Sequence, residues 1–84
     1  MSKRIVLIED DEVIRSAFKS LITKNSSYKV VADYPNAESA LENMDSDQAD
    51  IYLVDIELPG MNGIEAITRI KHKRKETLIL VVTV

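Results

Sequence analysis

Two groups of carboxylates in this sequence each follow a short apolar run with the composition of a β-strand. Residues 5–8 lead into Glu9 and Asp10, with two more acids behind them. Residues 51–54 lead directly into Asp55. If both runs are parallel strands of one sheet, their acids meet at the edge where the strands' carboxyl ends lie, which is where open α/β sheets bind ligands. We therefore expect Glu9, Asp10 and Asp55 to form one site.

Three neighbouring carboxylates are unfavourable by themselves, since like charges at short distance raise one another's pKa. A divalent cation reverses this by supplying the missing positive charge. The cluster offers only oxygen ligands, and such a set favours Mg²⁺, with Mn²⁺ as an alternative. Because Mg²⁺ usually joins one or two carboxylates to phosphate oxygens, the site points to phosphoryl chemistry.

Asp55 is the best candidate for a nucleophile, because an aspartate can accept a phosphoryl group as an aspartyl phosphate. It is a single acid on a predicted central strand, and a loop rich in turn residues (59–63) follows it. Glu9 and Asp10 then serve the metal. Thr83, at the end of a predicted fourth strand, reaches the same edge and can hydrogen-bond a phosphoryl oxygen.

Each of these residues, taken singly, has an ordinary structural explanation. Acids after strands often cap helices or close turns, and a lone threonine such as Thr83 is usually a plain strand residue. The combination of two acidic strand ends and a hydroxyl on a third strand favours a site. Asp33 and Asp50 are not part of such a combination and are interpreted as surface acids. His72 is interpreted as a surface residue of a basic helix end.

The apolar pattern predicts alternating strands and helices. The order β-α-β-α-β-α-β, with connections long enough for right-handed parallel crossovers, predicts an α/β layered fold. Asn36 and Asn62 are predicted N-caps of the second and third helices, and residues 45–50 are predicted to be a polar connection. The strands are predicted at residues 5–8, 28–34, 51–54 and 78–82.

Composition narrows the class of protein. The chain has 84 residues, 45% of them hydrophobic, and a net charge of −3, which fits one small globular domain. It has no cysteine, which excludes a disulfide framework and a thiolate zinc site. With no long apolar segment and no secretory signal, we expect a cytoplasmic protein without membrane contact. The basic run at 71–75 is expected to be a solvated helix end rather than a nucleic-acid surface.

Three segments of the sequence are considered together: Val6-Leu-Ile-Glu-Asp-Asp-Glu12, Leu53-Val-Asp-Ile-Glu-Leu-Pro-Gly-Met-Asn-Gly63 and Leu80-Val-Val-Thr83. Together they resemble the receiver domain of two-component response regulators. Their order and separations match over the whole chain, and the resemblance implies a three-layer, flavodoxin-like parallel sheet of order 2-1-3-4-5. Because the sequence ends after the fourth strand, residues 1–84 are expected to be a receiver domain incomplete at its C-terminus, of order 2-1-3-4, without the fifth strand and the last two helices.

The resemblance implies a role for each acid of the cluster. Asp55 is the phosphoacceptor, which takes its phosphoryl group from the phosphohistidine of a sensor kinase or phosphotransfer protein. Asp10 and Asp55 are direct Mg²⁺ ligands, and Glu9 is a second acid on the metal side. The backbone carbonyl of Glu57 completes the protein's share of the coordination. The chain is then an acceptor with at most slow autodephosphorylation, not an enzyme.

The resemblance also assigns the last two residues. Thr83 is the switch hydroxyl that turns toward the phosphate, and the backbone amide of Val84 donates to it. Members of the family have a small residue such as alanine at the position of Val84. They also carry a lysine at the end of a fifth strand, before which this sequence ends. We therefore expect this chain to be poorly competent for phosphotransfer.

Residues 28–41 and the loop after Asp55 look most like regulators whose receiver precedes a helix-turn-helix DNA-binding domain. DNA contact is then expected only through an output domain absent from this sequence, which would control transcription. The exposed fourth strand and the uncovered face of the first helix are expected to cause self-association. Two alternatives stay open: a haloacid dehalogenase-like phosphatase, in which Asp55 and Glu57 form the acid pair, and a receiver-like interaction module that is not phosphorylated.

Overall fold

The centre of the molecule is a parallel sheet in the strand order β2-β1-β3-β4, seen in a computed structural model that describes residues 2–82. All three strand pairings are parallel, as predicted. The strands are β1 (Lys3–Ile8), β2 (Tyr28–Tyr34), β3 (Ile51–Asp55) and β4 (Leu78–Val82). The helices are α1 (Glu12–Thr23), α2 (Ala37–Glu42), α3 (Met44–Asp47) and α4 (Gly63–Lys73). Within residues 2–82, none of these helices has the length and hydropathy of a membrane span.

The position of each strand follows from its composition. The apolar run 5–8 of β1 is buried, as a strand covered on both faces must be. β3 lies beside β1 in a register that pairs Ile8 with Val54. The more polar β2 and the short β4 form the two edges. The predicted order 2-1-3-4 is therefore confirmed.

The two faces of the sheet are covered unequally. Helices α2 and α4 close one face through small side chains, since Ala37, Ala40 and Ala66 are fully buried. The short helix α3 adds the fully buried Met44 to this face. α1 lies on the other face, where each of its residues is exposed or half-buried. An open apolar groove of about 430 Å³ remains there, bounded by Phe18 of α1 and Leu80 of β4, among others. The fold has one dense core layer and one thin layer.

Side-chain caps start α2 and α4, as the sequence predicts. The Asn36 side chain accepts a hydrogen bond from Ser39 N at 2.8 Å, and Asn62 accepts one from Glu65 N at 2.9 Å. These bonds satisfy amides that have no partner within the first turn of a helix. The hydrogen bond between Asn62 and Glu65 N fixes the direction in which the chain leaves the loop after β3.

The predicted polar connection at 45–50 is wrong in part, because the structure places the short helix α3 there. Asn43 interrupts the helical run with φ −107° and ψ 9°, while its side-chain amide donates to Ser39 O at 2.8 Å. The chain then makes one further turn. Asp47 accepts a hydrogen bond from Tyr34 OH at 2.5 Å, and its backbone carbonyl accepts from Arg4 Nη2 at 2.8 Å. These long-range bonds stabilise α3, although the local sequence predicts a loop there.

Tyr52 provides a test of this core. Its side chain is fully buried, and its hydroxyl has no hydrogen-bond partner among residues 2–82. Burial, with the charge of Asp47, raises the pKa of Tyr52 to about 12.

A buried unpaired hydroxyl destabilises a fold, so Tyr52→Phe is expected to raise the free energy of unfolding by about 1 kcal/mol in urea titrations. Tyr34→Phe is the control, because it breaks the bond to Asp47 and should lower stability by about 1 kcal/mol. A loss of stability in Tyr52→Phe would contradict the reading of its hydroxyl as unpaired.

Candidate metal centre

The acidic site lies where β1 and β3 end side by side. Val54 pairs with Ile8, so the next residues, Asp55 and Glu9, stand at the same level of the sheet. Glu9 N donates to Tyr34 O of β2 at 3.0 Å, which extends the parallel pairing by one residue. The backbone of two buried strands therefore positions both acids.

Carboxylate oxygens of Glu9, Asp10 and Asp55 lie within 4.8 Å of one another. Glu9 is 5% exposed and Asp55 is 9% exposed, whereas Asp10 is open to solvent. A pocket of about 310 Å³ opens above them, and Ile14 and Glu57 also line it. The arrangement gives two nearly buried acids and one accessible acid facing a space large enough for a hydrated ion and a phosphoryl group.

The electrostatics of the cluster favour a cation. Burial raises the pKa of Glu9, and the charges of Asp10 and Asp55 raise it further, against the hydrogen bond from Asp11 N at 3.0 Å. The donor set consists of carboxylates alone, which suits a hard ion such as Mg²⁺. A divalent ion would offset both the burial of the Glu9 charge and its repulsion by Asp10 and Asp55. The residues present fit a magnesium centre.

A backbone amide of the loop after β3 orients the carboxylate of Asp55. Glu57 N donates to Asp55 Oδ1 at 3.1 Å, which fixes the carboxylate. Ile56 N donates to Val82 O at 3.4 Å, and Gly63 N donates to Ile56 O at 3.0 Å. A Cβ on Gly63 would lie 2.6 Å from Asp55 O and from Ile56 Cα, so only glycine lets α4 start this close. The first turn of α4 thus packs directly on the end of β3.

Glu38 of α2 holds the outer part of the same loop, a contact that the sequence did not indicate. Its Oε2 accepts a hydrogen bond from Met61 N at 3.3 Å. A Cβ on Gly60 would meet this oxygen at 2.6 Å, and Gly60 has a φ of +70°, which favours glycine. The loop therefore turns tightly against α2.

The structure brings together three of the predicted site residues: Glu9, Asp10 and Asp55. Glu57 borders the same pocket with its side chain exposed, and its role as a carbonyl ligand stays a prediction. Thr83 and Val84 lie outside the described residues, so their roles also stay predictions.

The structure adds to the interpretation of Asp33 as a surface acid, because it gives this carboxylate two partners on α1. Asp33 is half-buried and forms salt bridges with Arg15 Nε at 3.1 Å and Lys19 Nζ at 3.0 Å. Burial alone would raise the pKa of Asp33, but the hydrogen bonds and charges of Lys19 and Arg15 outweigh it and lower the pKa. Asp50 is exposed, but its carboxylate accepts a hydrogen bond from Arg4 N at 2.8 Å. His72 is exposed, as predicted.

Comparison with known families and proteins gives a consistent result. Residues 5–84 match the family described as response regulator receiver domain. The chain is 34% identical over 80 residues to the nitrate/nitrite response regulator protein NarL of Escherichia coli, which covers 95% of this chain and 37% of that protein. It is 33% identical over 78 residues to protein-glutamate methylesterase/protein-glutamine glutaminase 2 of Paramagnetospirillum magneticum, which covers 93% of this chain and 22% of that protein. The chain therefore spans well under half the length of these relatives.

Solved structures show the same fold. A two-component response regulator of the LuxR family from Aurantimonas sp. has a TM-score of 0.91 at 32% identity, covering 99% of this chain and 59% of that one. The isolated REC domain of RcsB from Salmonella enterica serovar Typhimurium has a TM-score of 0.92 at 19% identity, covering 99% and 62%. At 19% identity, the similarity to RcsB shows only that the two chains share a fold.

Magnesium and the acid Asp10 provide a test of this centre. Mg²⁺ at about ten times its Kd should raise the free energy of unfolding by about 1.4 kcal/mol, because it binds only the folded chain. Asp10→Asn should remove most of this increase in urea titrations with and without Mg²⁺. Asp11→Asn is the matched control, since it makes the same change of charge one residue away, and asparagine caps α1 as well as aspartate does. Equal Mg²⁺ responses in the two variants would rule out Asp10 as a ligand.

Proposed function

Since this chain belongs to the response regulator receiver domain family, we propose that Asp55 accepts a phosphoryl group from the phosphohistidine of a sensor kinase or phosphotransfer protein. The observation that carries the proposal is the position of Asp55, which is nearly buried at the end of β3 with carboxylate oxygens of Glu9 and Asp10 within 4.8 Å. The chain would serve as the phosphoaccepting module of a two-component signalling pathway.

The chemistry follows from how the chain holds Asp55. The amide of Glu57 occupies Oδ1, so Oδ2 is the oxygen left to attack the phosphorus. An O–P bond forms as the N–P bond of the phosphohistidine breaks, and the departing imidazole keeps the electron pair. Glu9, Asp10 and Asp55 would hold a Mg²⁺, which would supply positive charge to the phosphoryl oxygens. Thr83 and Val84 are proposed as additional phosphate contacts.

We propose that the chain is an acceptor rather than a turnover enzyme. The name of one relative describes a methylesterase and glutaminase, but this chain covers only 22% of that protein. A haloacid dehalogenase-like phosphatase would carry its acid pair after the first strand, whereas Asp55 ends β3. The family match does not favour that alternative.

The relatives suggest the wider setting. NarL is named as a nitrate/nitrite response regulator, and the Aurantimonas protein as a member of the LuxR family. We propose that this receiver, with residues 1–84 as an incomplete domain, controls transcription in the cytoplasm through a DNA-binding region outside the given sequence.

Acetyl phosphate provides the test of the acceptor. With Mg²⁺ present, the wild-type chain, although poorly competent, should slowly gain the mass of one phosphoryl group, and Asp55→Asn should gain none, because the attacking oxygen is lost. The measurement is intact mass over a time course. Asp45→Asn is the control, since Asp45 is an exposed acid whose side chain is paired with Lys73 at 3.5 Å. Equal labelling of Asp55→Asn would refute the acceptor assignment, and no labelling of the wild type would favour the interaction module.

Self-association through β4 is the second part of the proposal. β4 is an edge strand that carries no charge, and Leu78 and Leu80 are 53% and 47% exposed. Both side chains border the open groove beside α1. An apolar edge strand next to an apolar groove is a template for pairing with a second copy.

Leu80→Lys tests this surface. We expect the wild-type mass in size-exclusion chromatography with light scattering to rise with protein concentration. The lysine should keep the chain monomeric, because a charge on an edge strand opposes pairing. Ile64→Lys is the control, since Ile64 is 63% exposed on α4. A wild-type chain that stays monomeric at all concentrations would contradict the proposal.

A further inference from the structure

Arg15 joins three parts of the molecule through its guanidinium. Its Nη1 donates to the backbone carbonyl of Glu9 at 2.8 Å, and its Nε donates to Asp33 Oδ1 in β2 at 3.1 Å. The Arg15 side chain is 16% exposed and that of Asp33 is 26% exposed, so water competes weakly for these bonds. Lys19, one turn further along α1, donates to the other oxygen of Asp33 at 3.0 Å. The guanidinium is therefore held at a fixed position beside the acidic site.

The carbonyl that Arg15 binds belongs to the peptide unit between Glu9 and Asp10. The orientation of this unit sets the directions in which the two acidic side chains leave the backbone. On its N-terminal side, Glu9 N is fixed by Tyr34 O. On its C-terminal side, Asp11 accepts hydrogen bonds from Val13 N and Ile14 N as the N-cap of α1. Arg15 binds the Glu9 carbonyl, which takes no part in either of these contacts.

The charge of Arg15 and its hydrogen bonds have opposite effects on a metal ion. A guanidinium close to the cluster repels Mg²⁺, so the charge alone weakens metal binding. The hydrogen bonds hold the ligands in place, and partners of this kind typically improve metal affinity by about 10–100-fold. The sign of the change on removing Arg15 therefore distinguishes the two effects.

We infer that Arg15, held by Asp33, is a positioning residue for the metal centre. It fixes the peptide unit that carries Glu9 and Asp10, so that both side chains face the ion shared with Asp55. This inference depends on the proposed function of the acidic cluster as a Mg²⁺ site.

The experiment measures the Kd for Mg²⁺ by NMR titration of the 84-residue chain. Arg15→Gln should bind Mg²⁺ about tenfold more weakly than wild type, although it removes a positive charge. Arg69→Gln is the matched control, because Arg69 makes an exposed i,i+4 salt bridge with Glu65 at 2.9 Å on α4. It should bind Mg²⁺ as wild type does, or slightly more tightly. Arg15→Lys keeps the charge but lacks the planar guanidinium that donates to Asp33 and to Glu9 O at the same time. It should therefore also bind Mg²⁺ more weakly.

A second readout needs no metal. Asp11 N donates to Glu9 Oε2 at 3.0 Å, so its hydrogen exchange reports whether Glu9 keeps its orientation. In Arg15→Gln this amide should exchange several-fold faster. The amide of Glu65, which donates to Asn62, should exchange at the wild-type rate.

The outcomes separate the inference from the function on which it rests. A wild type that binds no Mg²⁺ would reject the metal centre itself. Binding by Arg15→Gln as tight as by Arg69→Gln would reject only the role of Arg15. If Arg15→Gln proves unfolded in urea titrations, Asp33→Asn decides in its place, with the exposed Asp45→Asn as its charge-matched control. Equal Mg²⁺ binding in those two variants would likewise overturn the inference.

Discussion

Repulsion among three carboxylates at one edge of the sheet is the constraint on which the rest of this structure depends. Two unit charges about 4 Å apart repel by roughly 4 kcal/mol at the effective dielectric near a protein surface. Against this, each large apolar side chain buried in β1 contributes about 1.5–3 kcal/mol, and residues 5–8 supply four of them. Burial of these four side chains is therefore of the same order as the repulsion among the three acids. The strained groups are placed at the strand ends, where an ion can reach them.

The unequal covering of the sheet complements this arrangement. The face under α2 and α4 is tightly packed, and Gly63 lets the start of α4 rest on the backbone of Asp55. β3 is therefore anchored from its well-packed side. The opposite face, under α1, is open, and its contacts with β2 are more polar. Glu9 and Asp10 are attached to this looser layer, so their orientation depends on specific hydrogen bonds rather than on dense packing.

The sequence predicts those parts of the fold that local patterns encode. The four apolar runs became the four strands, and Asn36 and Asn62 cap their helices. The short helix α3 could not be predicted in this way, since long-range bonds to Tyr34 and Arg4 hold it. The acids Glu9 and Asp55 were paired correctly in space because both directly follow predicted parallel strands.

Two of the contacts that the sequence did not reveal, those of Asp33 and Glu38, join residues far apart in the chain. Asp33 looked solitary because its partners lie 14 and 18 residues earlier, on a face of α1. Glu38 lies 23 residues before the loop that it holds. Asp55, by contrast, is oriented by an amide two residues away. One half of the site is thus positioned locally and the other half through β2. A change at that edge strand, far along the chain from the acids, therefore reaches Glu9 through two contacts, the guanidinium of Arg15 and the backbone carbonyl of Tyr34.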